Sequence, residues 1–240
     1  MKAKGGRRVY GFPIGIIVLD TAFPRIPGDI GNAATFDFPV LYRIVEGAFP
    51  HRVVRELGPA LLPPFIEAAQ RLEREGVGAI TTSCGFLALF QRELAAAVRI
   101  PIFTSRLLLL LVARMLPAGR QVGILTVEAS SLTPQHLAAV GIDEGIPLVI
   151  MGLEGEEEFT RVLLGNEEEL DVTKATEEHV RVARRLVADH PDVGALVLEC
   201  TNMPPYAKSI QQAVGLPVFD IVLLTRMVHA ALAYGGYPLF

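Results

Sequence analysis

Residues Val77 to Phe103 recur 116 positions later as Val193 to Phe219, with Val77, Gly78, Ala79, Cys84, Ala97, Val98, Pro101 and Phe103 meeting identical partners. A second block, Ile14 to Asp20, lies on Val122 to Glu128 at an offset of 108, and the same offset pairs Glu46-Gly47 with Glu154-Gly155. A duplication of this kind constrains the fold more than any composition, because both copies must build one supersecondary unit. The change of offset from 108 to 116 places eight extra residues in the second copy, between Gly155 and Val193. That stretch holds the acidic run Glu154 to Asp171, which reads as a solvated helix surface and loop.

Each copy alternates short apolar runs with longer amphipathic stretches. Ile14 to Leu19, Ala79 to Thr82, Val122 to Val127 and Ala195 to Leu198 suit strands buried on both faces of a parallel sheet. Leu61 to Glu75, Leu87 to Val98, Glu177 to Asp189 and Tyr206 to Val214 carry helical spacing, with Gly76 and Gly215 where helix C-termini favour a left-handed residue. The pattern predicts an α/β protein of two pseudo-symmetric, Rossmann-like parallel-sheet subdomains with the active site between them. Residues 1–114 form the first, completed by a C-terminal helix within 221–240, and residues 115–220 form the second.

Composition narrows the function. An apolar fraction of 51% over 240 residues supplies a substantial core, and a net charge of -4 with interspersed signs gives no basic stripe for nucleic acid. Mean hydropathy is high at +0.41, yet the strongest apolar run, 107–113, is closed off by Arg106 and Arg114, far short of a spanning helix. The basic N-terminus leads into a strand broken by Pro13 and resembles no signal peptide, so a cytoplasmic protein without membrane partners is expected. The surplus of hydrophobicity predicts a homodimer or higher homo-oligomer.

The two cysteines, Cys84 and Cys200, occupy equivalent positions of the repeat, each after a buried strand and before a helix. Ligands bind beyond the carboxyl ends of parallel strands, where helix N-termini favour a thiolate. Pro204 and Pro205 suit the first turn after Cys200. A single buried cysteine reads as a small hydrophobe. Two at symmetry-equivalent points instead read as an acid and a base facing each other across one cleft, with no metal and no cofactor required. Thr82, Ser83, the N–H of Gly85, Thr126, Thr201 and Asn202 are candidate donors to a small carboxylate substrate.

The segment Thr21 to Pro39 breaks the repeat. Its counterpart, Ala129 to Pro147, reads as containing a helix, Pro134 to Val140, whereas this one holds Pro24, Pro27, Gly28, Gly31 and Pro39. A long irregular loop in a compact domain points to function, so it is expected to cover the cleft with Asp29, Asn32 and Thr35 as substrate contacts. Arg25 reads first as solvated and second as a carboxylate ligand. Asp20 and Glu128 end equivalent strands, which places carboxylates near the thiols. Asp20 is expected to assist catalysis, while Glu128, Ser130 and Ser131 read first as helix caps. No metal-binding histidine pair, dinucleotide glycine motif or phosphate loop is present.

Thr-Thr-Ser-Cys-Gly around Cys84, Glu-Cys-Thr-Asn-Met-Pro at 199–204, Asp20-Thr21 after the first strand and Gly28 to Thr35 together resemble the aspartate/glutamate racemase superfamily. That superfamily includes hydantoin racemases, maleate isomerases and arylmalonate decarboxylases. The resemblance implies the two-lobed fold, a cofactor-independent isomerase using Cys84 and Cys200 as an acid/base pair on the carbon next to a carboxylate, and Asp20 and Thr21 beside the first cysteine. Gly85-Phe86 stands where members commonly have Asn-Thr, and Asn202 where glutamate racemases have histidine. The expected activity is that of a racemase. The alternatives are a maleate-type cis-trans isomerase with a cysteine nucleophile and a carboxylate-binding protein without turnover.

Overall fold

A computed structural model describes residues 6, 8–56, 58–105, 112, 115–142 and 145–233. The run 107–113 that bears on membrane insertion lies, apart from Val112, outside the described residues. No helix among the described residues is long and apolar enough to cross a membrane.

The duplication is visible in the backbone. In the first half, β1 (Ile14–Leu19), β2 (Val40–Val45), β3 (Ala79–Thr82) and β4 (Ile102–Phe103) form a parallel sheet in the order β2-β1-β3-β4. In the second, β5 (Gln121–Thr126), β6 (Leu148–Gly152), β7 (Val193–Leu198) and β8 (Val218–Phe219) form a sheet in the order β6-β5-β7-β8. Even the connecting hydrogen bonds repeat. The Ser83 and Glu199 N–H groups donate to Ile17 and Leu125, and those of Ile80 and Leu196 donate to Pro101 and Pro217, all at 2.8 Å. This α/β architecture of two parallel sheets is the one the repeat predicts.

Helices cover the sheets where the sequence gives them an apolar stripe. In α2 (Leu62–Glu75) the buried Phe65, Ala68, Ala69 and Leu72 recur at helical spacing. Gly76 ends the helix at φ 103°, a left-handed conformation that a side chain resists. On the second sheet α6 (Val172–Asp189) buries Ala175, His179, Val182, Ala183 and Leu186, and the Asp171 carboxylate caps its first turn by accepting from the Thr173 and Lys174 N–H groups. The shorter helices are α1 (Pro50–Arg55), α3 (Gln91–Ala97), α4 (Pro134–Ala138), α5 (Phe159–Gly165) and α7 (Ala207–Val214). The last, α8 (Ile221–Leu232), sets Leu232 against Gly78 of the first half.

Three expectations needed adjustment. The helix expected over 87–98 is a 3-10 turn, Gly85–Phe90, followed by the shorter α3. Helix α6 begins five residues earlier than the periodicity suggested, because Val172, Thr173 and Lys174 extend it as an exposed first turn. The edge strands β2 and β6 went unrecognised. Both are only half-buried; Arg43 interrupts β2, whereas the apolar run Leu148 to Met151 of β6 was a usable signal. One apolar cluster contains residues of both halves, Cys84 and Cys200 among them, so the two sheets close on a common interior.

Candidate active site

Both cysteines line one cavity, and neither is in a disulfide. The cavity lies beyond the carboxyl ends of the inner strands, where Leu19 and Val127, Cys84 and Cys200, and Phe86 and Asn202 are pairs related by the repeat. Helices from opposite halves also line it, Pro50 and Val54 from α1 and Leu163 and Leu164 from α5. Phe23 and Phe86 give it two aromatic walls. Among the described lining residues the polar groups are Ser83, the two thiols, Asn202 and the Gly85 backbone, with no lysine or arginine.

Of the expected donors, Ser83, Gly85 and Asn202 line the cavity, while Thr82, Thr126, Thr201, Asn32 and Thr35 do not. Ser83 accepts from the Leu19 N–H through its hydroxyl at 3.1 Å, which leaves its own O–H hydrogen to point elsewhere. Thr201 donates to the Ser83 carbonyl at 2.5 Å and Thr82 to the Cys84 carbonyl at 3.1 Å, so both hydroxyls hold loops together rather than facing the cavity. Thr126 donates to the Glu199 carboxylate at 2.7 Å. Asn32 caps the 3-10 turn Ala33–Thr35 and donates to the Arg25 carbonyl. The Thr35 hydroxyl is spent on the Gly28 N–H and the Asp29 carbonyl, so Asn32 and Thr35 brace their own loop rather than line the cavity.

The carboxylates that end β1 and β5 also turn away from the thiols. Asp20 accepts from the Gly47 N–H at 2.9 Å, and Glu128 pairs with Arg55 and Ser131, whose hydrogen bonds hold its carboxyl below the usual carboxylate range. The Thr21 hydroxyl accepts from Arg25, which also pairs with Asp29. Arg25, expected to be solvated, is part-buried and serves to hold Asp29.

The sequence reading missed Glu199 as a site residue. It is fully buried, and a Cβ on Gly85 would collide with its Oε1 and lie 2.6 Å from its carbonyl oxygen. Its position directly before the second cysteine motif was a usable signal, but its counterpart, Ser83, offered no symmetry to support it. Asp29 proved to belong to the site's periphery. It is 2% exposed, accepts from Arg25 at 2.9 Å and from the Asn202 amide at 2.6 Å, and thereby ties the loop 21–39 of the first half to the second cysteine motif.

Cys200 also departs from the expected thiolate. Burial first, and the Glu199 charge second, push its thiol well above the ordinary value; the Asn202 backbone works in the opposite direction, while Cys84 and Asp29 add to the rise. The short 3-10 turn Pro204–Tyr206 next in the chain does not offset this. Cys200 is therefore a thiol at neutral pH.

Known proteins resemble this chain over most of its length. A dimethylsulfoniopropionate lyase of Durusdinium sp. clade D is 34% identical over 218 residues, covering 88% of this chain and 71% of that protein. Dimethylsulfoniopropionate lyase 3 of Emiliania huxleyi (strain CCMP1516) is 32% identical over 229 residues, and the chain spans 59% of its length. Unliganded arylmalonate decarboxylase superposes with a TM-score of 0.59 over 95% of this chain and 94% of that one, a likeness of fold alone at 18% identity. These relatives overturn the expected racemase activity, since the lyases are named for a different reaction. What the sequence read correctly is the enzyme family. The model of the Asp/Glu/hydantoin racemase family matches residues 53–226, and the chain belongs to that family.

Proposed function

We propose that the chain is a lyase that eliminates dimethyl sulfide from dimethylsulfoniopropionate or a close β-sulfonium carboxylate. The observation that carries this reading is the 34% identity to a lyase of that name over 88% of the chain. The cavity supports it. A β-sulfonium propionate is a zwitterion with no net charge, which suits walls that lack lysine and arginine better than an amino diacid, a net anion with two carboxylates, does. Phe23 and Phe86 line the cavity, and aromatic rings attract cations such as a sulfonium, as Phe23 already does the Arg25 guanidinium 4.8 Å from its ring centre. The carboxylate can be met by the Ser83 hydroxyl and the Gly85 N–H, donors that also stabilise charge developing on its oxygens.

The reaction shares its first step with racemisation and differs in the second. A cysteine thiolate takes the proton from the carbon next to the carboxylate. The C–H electron pair becomes the new carbon-carbon double bond, the carbon-sulfur bond breaks with its pair moving to sulfur, and neutral dimethyl sulfide and acrylate leave. The base ends as a thiol and loses its proton to water before the next turnover. Since the leaving group needs no proton, one base suffices and the second cysteine is not required to act as its acid.

Purified protein incubated with dimethylsulfoniopropionate is expected to release dimethyl sulfide and acrylate in equal amounts. It should do so with a primary isotope effect when the carbon next to the carboxylate carries deuterium. Absence of release over a range of pH and substrate concentration would sink the proposal.

A further inference from the structure

Asn202 stands between two groups of opposite demand. Its amide Nδ2 donates to the Asp29 carboxylate at 2.6 Å, and its Oδ1 lies 3.6 Å from Cys200 Sγ as acceptor. The Asp29 Oδ1 accepts from Arg25 at 2.9 Å and from the Gly31 N–H at 2.6 Å, an arrangement that favours the carboxylate and leaves Oδ2 as the acceptor facing the Asn202 amide. The amide therefore cannot flip without placing two acceptors face to face.

We propose that Asp29 is a positioning residue that locks the Asn202 amide with its oxygen toward Cys200, keeping Cys200 as the neutral thiol and leaving Cys84 as the base of the elimination. The assignment of the base rests on the lyase reading; the lock does not. A thiol donates to Oδ1, whereas a thiolate would meet a second electron-rich atom there. The other ionisable groups around Cys200 act in the same sense. Glu199 lies on its own segment, and Cys84 and Asp29 reach it from the first half; Tyr206, also on its segment, is a neutral phenol. A neutral Cys200 also leaves a single negative sulfur beside the substrate carboxylate, which reduces repulsion on the side opposite the base.

The geometry marks the lock as built rather than incidental. Asp29 and Asn202 are both buried, come from different halves, and are brought together where Gly28 packs on Pro205. The Thr35 hydroxyl and the 3-10 turn after Asn32 brace the carbonyl side of the same loop.

The test needs no substrate, so its failure is distinguishable from failure of the lyase reading. In full-length protein carrying Cys84→Ser, Cys200 is the sole thiol, and its ultraviolet thiolate absorbance is titrated against pH. Adding Asp29→Asn is expected to lower the midpoint by about one pH unit or more, a tenfold gain in thiolate fraction at a given pH. Adding Asn202→Ser, which keeps the Asp29 charge but removes the amide oxygen, is expected to lower it as well. Adding Arg226→Met loosens the same loop from its exposed side, where Arg226 pairs with Asp37 and the Thr35 carbonyl, and should leave the midpoint in place. An unchanged midpoint in Asp29→Asn overturns the lock. A shift in Asp29→Asn with none in Asn202→Ser assigns the effect to charge alone and overturns it too, as does an equal shift in Arg226→Met. Should Asp29→Asn not fold, Asn202→Ser alone decides, since an unmoved midpoint there is sufficient to reject the lock.

Discussion

Phe86 and Asn202 stand two residues after equivalent cysteines, and each is covered by the segment just past the first strand of the opposite half. From the second half, His136 of α4 meets Phe86 edge-on at a ring separation of 5.5 Å. From the first half, the loop 21–39 lays Gly28 on Pro205 and puts Asp29 on the Asn202 amide. The path of the chain is the same, but the chemistry is not. Cys84 gains an aromatic neighbour, whereas Cys200 gains an amide fixed by a carboxylate. Duplication supplied two identical positions, and the crossing segments made them different. A reaction that needs one base, unlike one that must run in both directions, can use such unequal partners.

The comparison breaks outright if the two cysteines prove interchangeable. Cys84→Ala is expected to lower kcat for dimethyl sulfide release by about 10³-fold or more, within the usual span of general-base effects, and Cys200→Ala by only about 10–100-fold, at or below its lower end. Equal losses would remove the distinction between base and partner.

A smaller effect separates the helices behind the two sites. Helix α2 buries only apolar residues on its inner stripe apart from the terminal Glu75, while α6 buries His179, whose imidazole is stacked on Tyr206 at 4.1 Å and pushed by burial from 6.5 down to about 4. Because the folded value is depressed, the contribution of neutral His179 is fully present above pH 6.5 and is lost as pH falls through about 4. The loss is on the order of 3 kcal/mol. Chemical denaturation at a series of pH values should show this slope, and His179→Leu should flatten it.

The smallest effect compares the residues directly after the cysteines. Gly85→Ala would press a methyl against the Glu199 carboxylate and the Ser105 hydroxyl, costing about 1–3 kcal/mol. Thr201→Ala, its counterpart, removes one hydrogen bond to the Ser83 carbonyl and should cost about 1 kcal/mol. Urea midpoints measure both, and a reversed order would mean that Glu199 yields to the added methyl.

The fold was legible because the repeat and the uninterrupted apolar runs of Ile14 to Leu19 and Val122 to Val127 encode inner parallel strands directly. The edge strand β2 was not, since Arg43 breaks its apolar run, whereas the run Leu148 to Met151 of β6 could have been read from its residues. At the site, Ser83, Gly85 and Asn202 line the same cavity as the two cysteines, whose positions the repeat relates. Asn32 and Thr35 resembled substrate contacts by residue type, but loop backbone consumes their polar atoms. The bond between Asp29 and Asn202 spans 173 positions and has no signature in either local segment. The proposed reaction has no separate sequence signature, for a related reason. Proton removal beside a carboxylate is common to racemases and β-eliminating lyases, and the fate of the resulting carbanion depends on the leaving group the substrate brings.

The loop 21–39 has a consequence for how the two lobes could be separated or recombined. Because the environment of Cys200 is completed by Asp29, neither half carries a whole site, and a hybrid that pairs the second half with a first half from a relative inherits its cysteine setting from the donor of that loop. Exchange of residues 21–39 alone is thus the smallest graft that could carry one enzyme's thiol chemistry into another without altering either cysteine motif.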